Sequence, residues 1–269
     1  MEQKMGGSRI TRQGGISGST LKVIALIAML VDHVGAVIVA RMLIDISVRK
    51  DAAGLLVYGD LYQTYQVLRK IGRIAFPIYC FLLVEGFQKT GNKVKYVLRL
   101  GAFALLSEIP FDLAFSSRVI EFKYQNVFFT LFIGMAVMFA MDALDEKVRS
   151  TAGKKNEALQ SMVKYLTELV LFGAGAFLAE LLRTDYGAKG IMCIIILYLF
   201  RWNKGLQLVA GACSFLWENV ASIAFLPIAF YNGKRGWNLK YVFYVFYPLH
   251  LVILYFICVA MGIHGYPAV

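Results

Sequence analysis

LKVIALIAMLVDHVGAVIVA, Leu21 to Ala40, is the stretch that decides the fold. Its length matches the roughly 20 apolar positions that carry a helix across a bilayer, and only Lys22 and the adjacent Asp32 and His33 interrupt it. Lys22 sits at the edge, where a long stem can reach headgroups. Asp32 and His33 lie in the interior of the run, beyond the reach of snorkelling. A charge at such depth costs about 2.5 to 3.5 kcal/mol on insertion scales, so ionisable residues there point to a function or, less specifically, to a helix-packing hydrogen bond. Adjacent helix positions cannot both point at one neighbour, so the two side chains are expected to face different surroundings.

The character of that run recurs along the chain. Of 269 residues, 59% are hydrophobic and only 17% charged, and the apolar windows fall at about 21–40, 73–87, 96–115, 127–143, 162–182, 188–200, 206–217, 220–231 and 239–261. This predicts an all-α, polytopic integral membrane bundle of about nine spans, eight to ten, rather than a soluble domain. The sixth to eighth windows are short, so they are tilted or include a broken or re-entrant helix, which a bundle tolerates only where protein or a water cavity covers the backbone. The run from Gly54 to Gly72 mixes Leu, Val and Tyr with Asp60, Gln63, Gln66, Arg69 and Lys70, as an interfacial amphipathic helix would.

The net charge of +11 is not a nucleic-acid footprint. Lys and Arg fall in short segments between apolar runs, the pattern of topology and anionic headgroups, so the bilayer is the expected partner and nucleic acid is not. Lys4/Arg9/Arg12, Lys89/Lys93/Lys95, Lys147/Arg149/Lys154/Lys155, Arg201/Lys204 and Lys234/Arg235/Lys240 all fall on one side in the nine-span count. The positive-inside rule makes that side, and the N-terminus, cytoplasmic, with the chain in the plasma (inner) membrane. The connection after the first span breaks the pattern with Arg49, Lys50, Arg69 and Lys70. The N-terminus imitates a signal peptide, but the run that follows is too long and holds an Asp-His pair, so it reads as a retained first span. Residues 1–20 are then a cytoplasmic tail, 21–261 a single membrane domain and 262–269 a C-terminal tail. Cys80, Cys193, Cys213 and Cys258 lie singly in apolar runs, and His33, His250 and His264 are far apart. No metal site is expected from such spacing.

With the N-terminus inside, His33 lies in the outer half of the first span. The same bookkeeping brings Arg73, Ser107, Glu108, Asp112, Asn126, Asp185, Tyr186, Glu218, Asn219 and His250 to comparable depth, as for a polar pocket opening outward. Lys22 precedes His33 by eleven residues, within about 20° of three full turns and about 16 Å along the axis. A basic residue near the cytoplasmic surface and a deep histidine on one face suit a ligand with an anionic head and a long thin arm. Coenzyme A is such a ligand, its phosphates meeting Lys22 and the basic loops while a thioester reaches His33.

Several ordered blocks resemble the TraX family, membrane proteins known for N-terminal acetylation of conjugative pilin subunits. They are LKVIALIAMLVDHVG (Leu21 to Gly35), GRIAFPIYCFLLVEGF (Gly72 to Phe87), KYVLRLGAFALLSEIPFDL (Lys95 to Leu113), QNVFFTLFIG (Gln125 to Gly134), DYGAKG (Asp185 to Gly190) and FYPLHL (Phe246 to Leu251). The family's motif residues fall here on Asp32, His33, Arg73, Pro77, Glu85, Ser107, Glu108, Pro110, Asn126, Thr130, Asp185 and His250. The first block also resembles the basic residue, ten-residue gap and histidine of the wider transmembrane acyltransferases, with Lys22 where many of those carry arginine. The resemblance implies acetyl transfer from acetyl-CoA, with the acceptor left open: a pilin N-terminus, another peptide, a glycan or a lipid.

Such transfer needs a base for the acceptor proton and donors for the tetrahedral oxyanion. His33 is the expected base, with Asp32, Glu108 or Asp185 orienting its ring, Arg73 or Asn126 at the oxyanion, Lys22 on the CoA phosphates and His250 as the reserve base. A covalent acetyl-histidine is the other route open to His33. Two further classes compete. A proton-coupled transporter or channel would also bury Asp, His, Glu and Arg, but the sequence holds no pair of related halves. An assembly factor that binds a partner helix would account for small residues such as Gly173 and Gly175, but not for the histidine.

Overall fold

The computed structural model of the chain describes residues 14–50, 52–151, 157–218, 220–238 and 240–267. Among them the architecture is helical, with two isolated β-bridges and no strand. Helix α1 (Gly18–His33) starts at Ser17, whose hydroxyl caps the Thr20 N–H at 3.2 Å, one of the four donors a helix start leaves unpaired. It passes without a break through a π-helical segment, Val34–Val39, into α2 (Ala40–Arg49). The continuous rod Gly18–Arg49 has 32 residues, about 48 Å at 1.5 Å per residue.

Helix α3 (Ala52–Gly72) turns back along this rod. Gly72 lies on Asp32 and Gly35 on Leu68, so the two run antiparallel. The region expected to lie in the membrane interface is instead a helix packed lengthwise on α1 and α2. After a break at Arg73 and Ile74, α4 (Ala75–Lys89) continues in the same direction. Helices α5 (Lys93–Ser116), α6 (Val127–Thr151), α7 (Glu157–Leu181), α8 (Gly187–Leu199) and α11 (Lys240–Ala260) complete the bundle. Leu21, Ala25, Ile78, Cys80, Val84, Met135, Met138, Cys193, Ile194 and Leu251 fill the core. Helix α7 is peripheral, with Leu166, Leu169, Val170, Phe177 and Leu181 exposed. By length and apolarity four helices can cross a membrane, Gly18–Arg49, Val127–Val148, Ala158–Leu181 and Val242–Ala260, and Gly187–Leu199 is a shorter apolar helix.

The seventh and eighth windows do not form full-length helices. Helix α9 (Lys204–Ser214) is followed by 3-10 turns at Leu216–Glu218 and Ala221–Ala224 and by α10 (Phe225–Ala229). Eleven residues climb only about 16 Å. The Lys204 ammonium donates to the Tyr231 carbonyl at 2.6 Å, so both feet of this hairpin stand together while Glu218, at its apex, reaches Arg73.

The basic segments converge at one end. Gly18 and Ser19 donate to the Lys234 and Arg235 carbonyls, Lys89 donates to the Tyr231 hydroxyl and the Gly233 carbonyl, and Lys93 pairs with Asp142. Burial disfavours the charge on Lys89, but Glu85 and Tyr231 outweigh it and raise its pKa. Lys4, Arg9, Arg12, Lys154 and Lys155 lie outside the described residues. At the opposite end the fully buried Arg41 donates to the carbonyls of Val37, Ala114 and Tyr266 and to the Ser117 hydroxyl, tying the segment after α11 to α2 and α5. From Gly18 to Arg41 the bundle is about 35 Å deep by helical rise, close to a hydrocarbon core of about 30 Å.

Candidate active site

His33 ends α1 two-thirds of the way along that depth, where the wider π turn begins. Its ring faces α11 and α5. Nδ1 lies 2.7 Å from His250 Nε2, the two rings are nearly coplanar and meet edge to edge with centroids 5.0 Å apart, and Phe115 and Tyr247 meet His33 edge-on. His250 is buried and its Nδ1 lies 2.7 Å from the Phe246 carbonyl. His33 itself is only partly buried. Lys22 shares this side of α1, its ammonium 5.4 Å from the centre of the Phe243 ring on α11. Arg235 is near enough to act on Lys22 electrostatically.

Asp32 faces the other way. It pairs with Arg69 of α3 at 2.5 Å, and Gly72 leaves it room: a β-carbon there would stand 2.1 Å from the Asp32 β-carbon. Arg73 pairs with Glu218 at 2.7 Å, and Asp32, Arg73, Asp185 and Glu218 lie within electrostatic reach of one another. Asp185 accepts from the Tyr124 hydroxyl at 2.5 Å, and its carbonyl accepts from Thr130. The parallel bridge between Gln125 and Thr184 aligns these two loops.

Glu108 and Asn126 form a third group. Asn126 is buried, donates to the Glu108 carboxylate and to the Ala104 carbonyl, and with its own Oδ1 accepts from the Phe128 N–H to start α6. The structure thus sorts the eight residues singled out by sequence into three neighbourhoods: Lys22, His33 and His250 between α1 and α11; Asp32, Arg73 and Asp185 in a charged cluster; Glu108 and Asn126 together. Neither Asp32 nor Glu108 bonds the His33 ring, because each carboxylate is turned to a different partner. Sequence reasoning did not select Arg69, Tyr124 or Tyr247 as site residues, and it placed Glu218 at the depth of the polar pocket without a role. Arg69 had left a signal, since it broke the rule that placed basic residues on the opposite side.

Two cavities lie elsewhere. One, of about 250 Å³, is at the basic end, lined by Phe87, Gln88, Lys93, Asp142, Tyr198, Arg201 and Trp202. The other, of about 310 Å³, is an apolar cleft between α6, α7 and α8. Among the described residues no group of three His, Cys, Asp or Glu side chains converges as a metal site.

A model of the TraX protein family matches residues 17–258, from the cap of α1 to the last turns of α11. The chain belongs to the TraX family. It is also 28% identical over 277 aligned residues to the "Probable fimbrial assembly protein FimC, serogroup H1" of Dichelobacter nodosus, covering 91% of this chain and 97% of that protein. No solved structure matches the chain. The TraX chain carries its charged cluster and its histidine pair on different faces of one apolar helix.

Proposed function

We propose that this TraX protein is an acetyltransferase of the plasma membrane that takes an acetyl group from cytoplasmic acetyl-CoA and passes it to an amine or hydroxyl, with His33 as the base. The observation that carries the reading is the shared face of α1: Lys22 and His33 both turn toward α11, about 16 Å apart along the axis. The basic end is then cytoplasmic, and the nine apolar windows read as seven crossings and one re-entrant hairpin, whose feet are Lys204 and Tyr231 and whose apex is Glu218.

Lys22 and Arg235 supply positive charge for the phosphates of CoA. His33 accepts the proton of the attacking amine or hydroxyl; the new bond forms at the thioester carbonyl carbon as the carbon–sulfur bond breaks, and His33 returns the proton to the departing sulfur. Membership of the TraX family and the fimbrial name of the relative make the N-terminus of a pilin subunit the first acceptor to test, before glycan or lipid acceptors.

The experiment is transfer of label from acetyl-CoA to a pilin N-terminal peptide by the purified protein in detergent. The wild type is expected to transfer and His33→Ala to stay folded without transferring. Full transfer by His33→Ala would remove His33 as base. Label retained on the protein before acceptor is added would favour the acetyl-histidine route. Solute flux across vesicles without acetylation would instead establish the transporter reading, which draws on the two part-buried pairs, Asp32 with Arg69 and Arg73 with Glu218.

A further inference from the structure

We propose that His250 is a positioning residue that fixes the tautomer of His33 and so selects Nε2 of His33 as the atom that takes the acceptor's proton. The chemistry rests on the acetyl-transfer reading; the tautomer rests on hydrogen-bond geometry alone. The Phe246 carbonyl can only accept, so His250 Nδ1, 2.7 Å away, carries a hydrogen and donates it. A neutral imidazole has one N–H, which leaves His250 Nε2 with a lone pair. The atom 2.7 Å from that lone pair is His33 Nδ1, which must therefore be the donor. Nε2 of His33 is left unprotonated. Each step forces the next, and the sequence begins at a backbone carbonyl that cannot change its role.

The surroundings hold this arrangement. His250 is 4% exposed, with the Phe246 ring nearly parallel over it, 4.8 Å away, and the His33 ring nearly coplanar with it at its Nε2 edge. Tyr247 closes its edge. Pro248 lies inside α11 two residues before His250 and leaves the Tyr244 carbonyl without its helical donor; the Phe246 carbonyl has two lone pairs, so it can take the His250 Nδ1–H in addition to a backbone bond. When the acceptor N–H or O–H bond breaks and the Nε2–H bond of His33 forms, Nδ1 keeps its hydrogen. The positive charge then strengthens its bond to His250, and no proton moves onto His250.

Two measurements on the full-length protein test this. Nitrogen NMR of histidine-labelled wild type should show His33 protonated at Nδ1 and bare at Nε2, and His250→Ala should give a mixture of tautomers at His33. In kinetics, His250→Ala should lower kcat by about 10²-fold with the KM for acetyl-CoA unchanged, and His250→Gln, whose amide oxygen can accept where Nε2 did, should restore at least about tenfold of the loss. A wild-type His33 protonated at Nε2 would overturn the proposal, and so would a His250→Ala protein that raises KM and leaves kcat intact. If the wild type transfers no acetyl group yet shows the Nδ1–H tautomer, the acetyltransferase reading falls and the positioning role of His250 stands.

Discussion

Asp32 and His33 are consecutive in α1, yet one faces a field of charges and the other a wall of rings. Asp32 meets Arg69, with Arg73, Asp185 and Glu218 close by. His33 meets His250, Phe115 and Tyr247. The side chains diverge by about 100°, which suffices to separate two jobs that the adjacent pair leaves merged in the sequence. A carboxylate held by a guanidinium is fixed in place, and that pairing joins α3 to α1. A histidine among aromatic neighbours has no carboxylate to hold a proton on it, which suits a group that must start neutral. The contrast predicts that changes at Asp32 register first in stability, and changes at His33 first in turnover.

The largest expected effect is on the histidine side. His33→Ala should reduce kcat by about 10² to 10⁴-fold, the usual contribution of a positioned general base. Its thermal unfolding midpoint in detergent should stay close to wild type, since the residue is partly buried and its loss breaks no ion pair. A variant that lost both activity and fold would place His33 with Asp32, and the contrast would fail.

On the charged side, Asp32→Ala leaves Arg69 without its carboxylate, and removing one partner of a buried ion pair costs about 3 to 5 kcal/mol. Both side chains retain some exposure, 17% for Asp32 and 24% for Arg69, so the lower end is expected. Asp32→Ala combined with Arg69→Ala should cost less than Asp32→Ala alone, because no orphan charge remains. Chemical unfolding of the three variants measures this, and equal losses in all three would show that the pair holds nothing.

Gly72 tests the same side from the opposite helix. A β-carbon there falls 2.1 Å from the Asp32 β-carbon, and overpacking of this kind costs about 1 to 3 kcal/mol. The signature is coupling: Gly72→Ala should be much less damaging in an Asp32→Ala background than in the wild type. Additive losses would mean that α3 yields by shifting away rather than by pressing on Asp32.

The helices were largely readable in the sequence because most are local patterns, apolar runs that at α5 and α9 also have a capping asparagine, Asn92 or Asn203, ahead of them. Some of the gathering of polar residues was readable too, since Asp32, Arg73, Asp185 and Glu218 come from different segments and do lie near one another. Their partners were not. His33 and His250 are 217 positions apart, and no local periodicity says which of several polar residues at one depth will meet. The π turn at Val34–Val39 was equally hidden, as the run has no proline and reads as ordinary apolar helix. The segment from Leu216 to Ala229 is apolar enough to pass for a span, and only its tertiary setting shows it as the return arm of a hairpin. Arg69 carries the plainest lesson. Its basic charge on the wrong side was an exception to topology because it neutralises Asp32 inside the protein, so it was never an anchor to the membrane surface.

The smallest effect is expected at Lys22, and it sharpens the comparison most because it sits on the histidine side without touching the histidine. Lys22→Ala should raise the KM for acetyl-CoA by about tenfold, in keeping with the loss of one charge-assisted hydrogen bond, while kcat at saturation stays near wild type. The defect should shrink as salt rises, since an exposed phosphate contact is screened in both proteins. Lys22→Arg offers a planar fork in place of a point charge and should retain or improve affinity. If Lys22→Ala instead lowered kcat, the lysine would act through the position of α1 against Phe243. The shared face would then be a packing surface between α1 and α11, and the long reach from basic end to histidine would lose its meaning as a path for CoA.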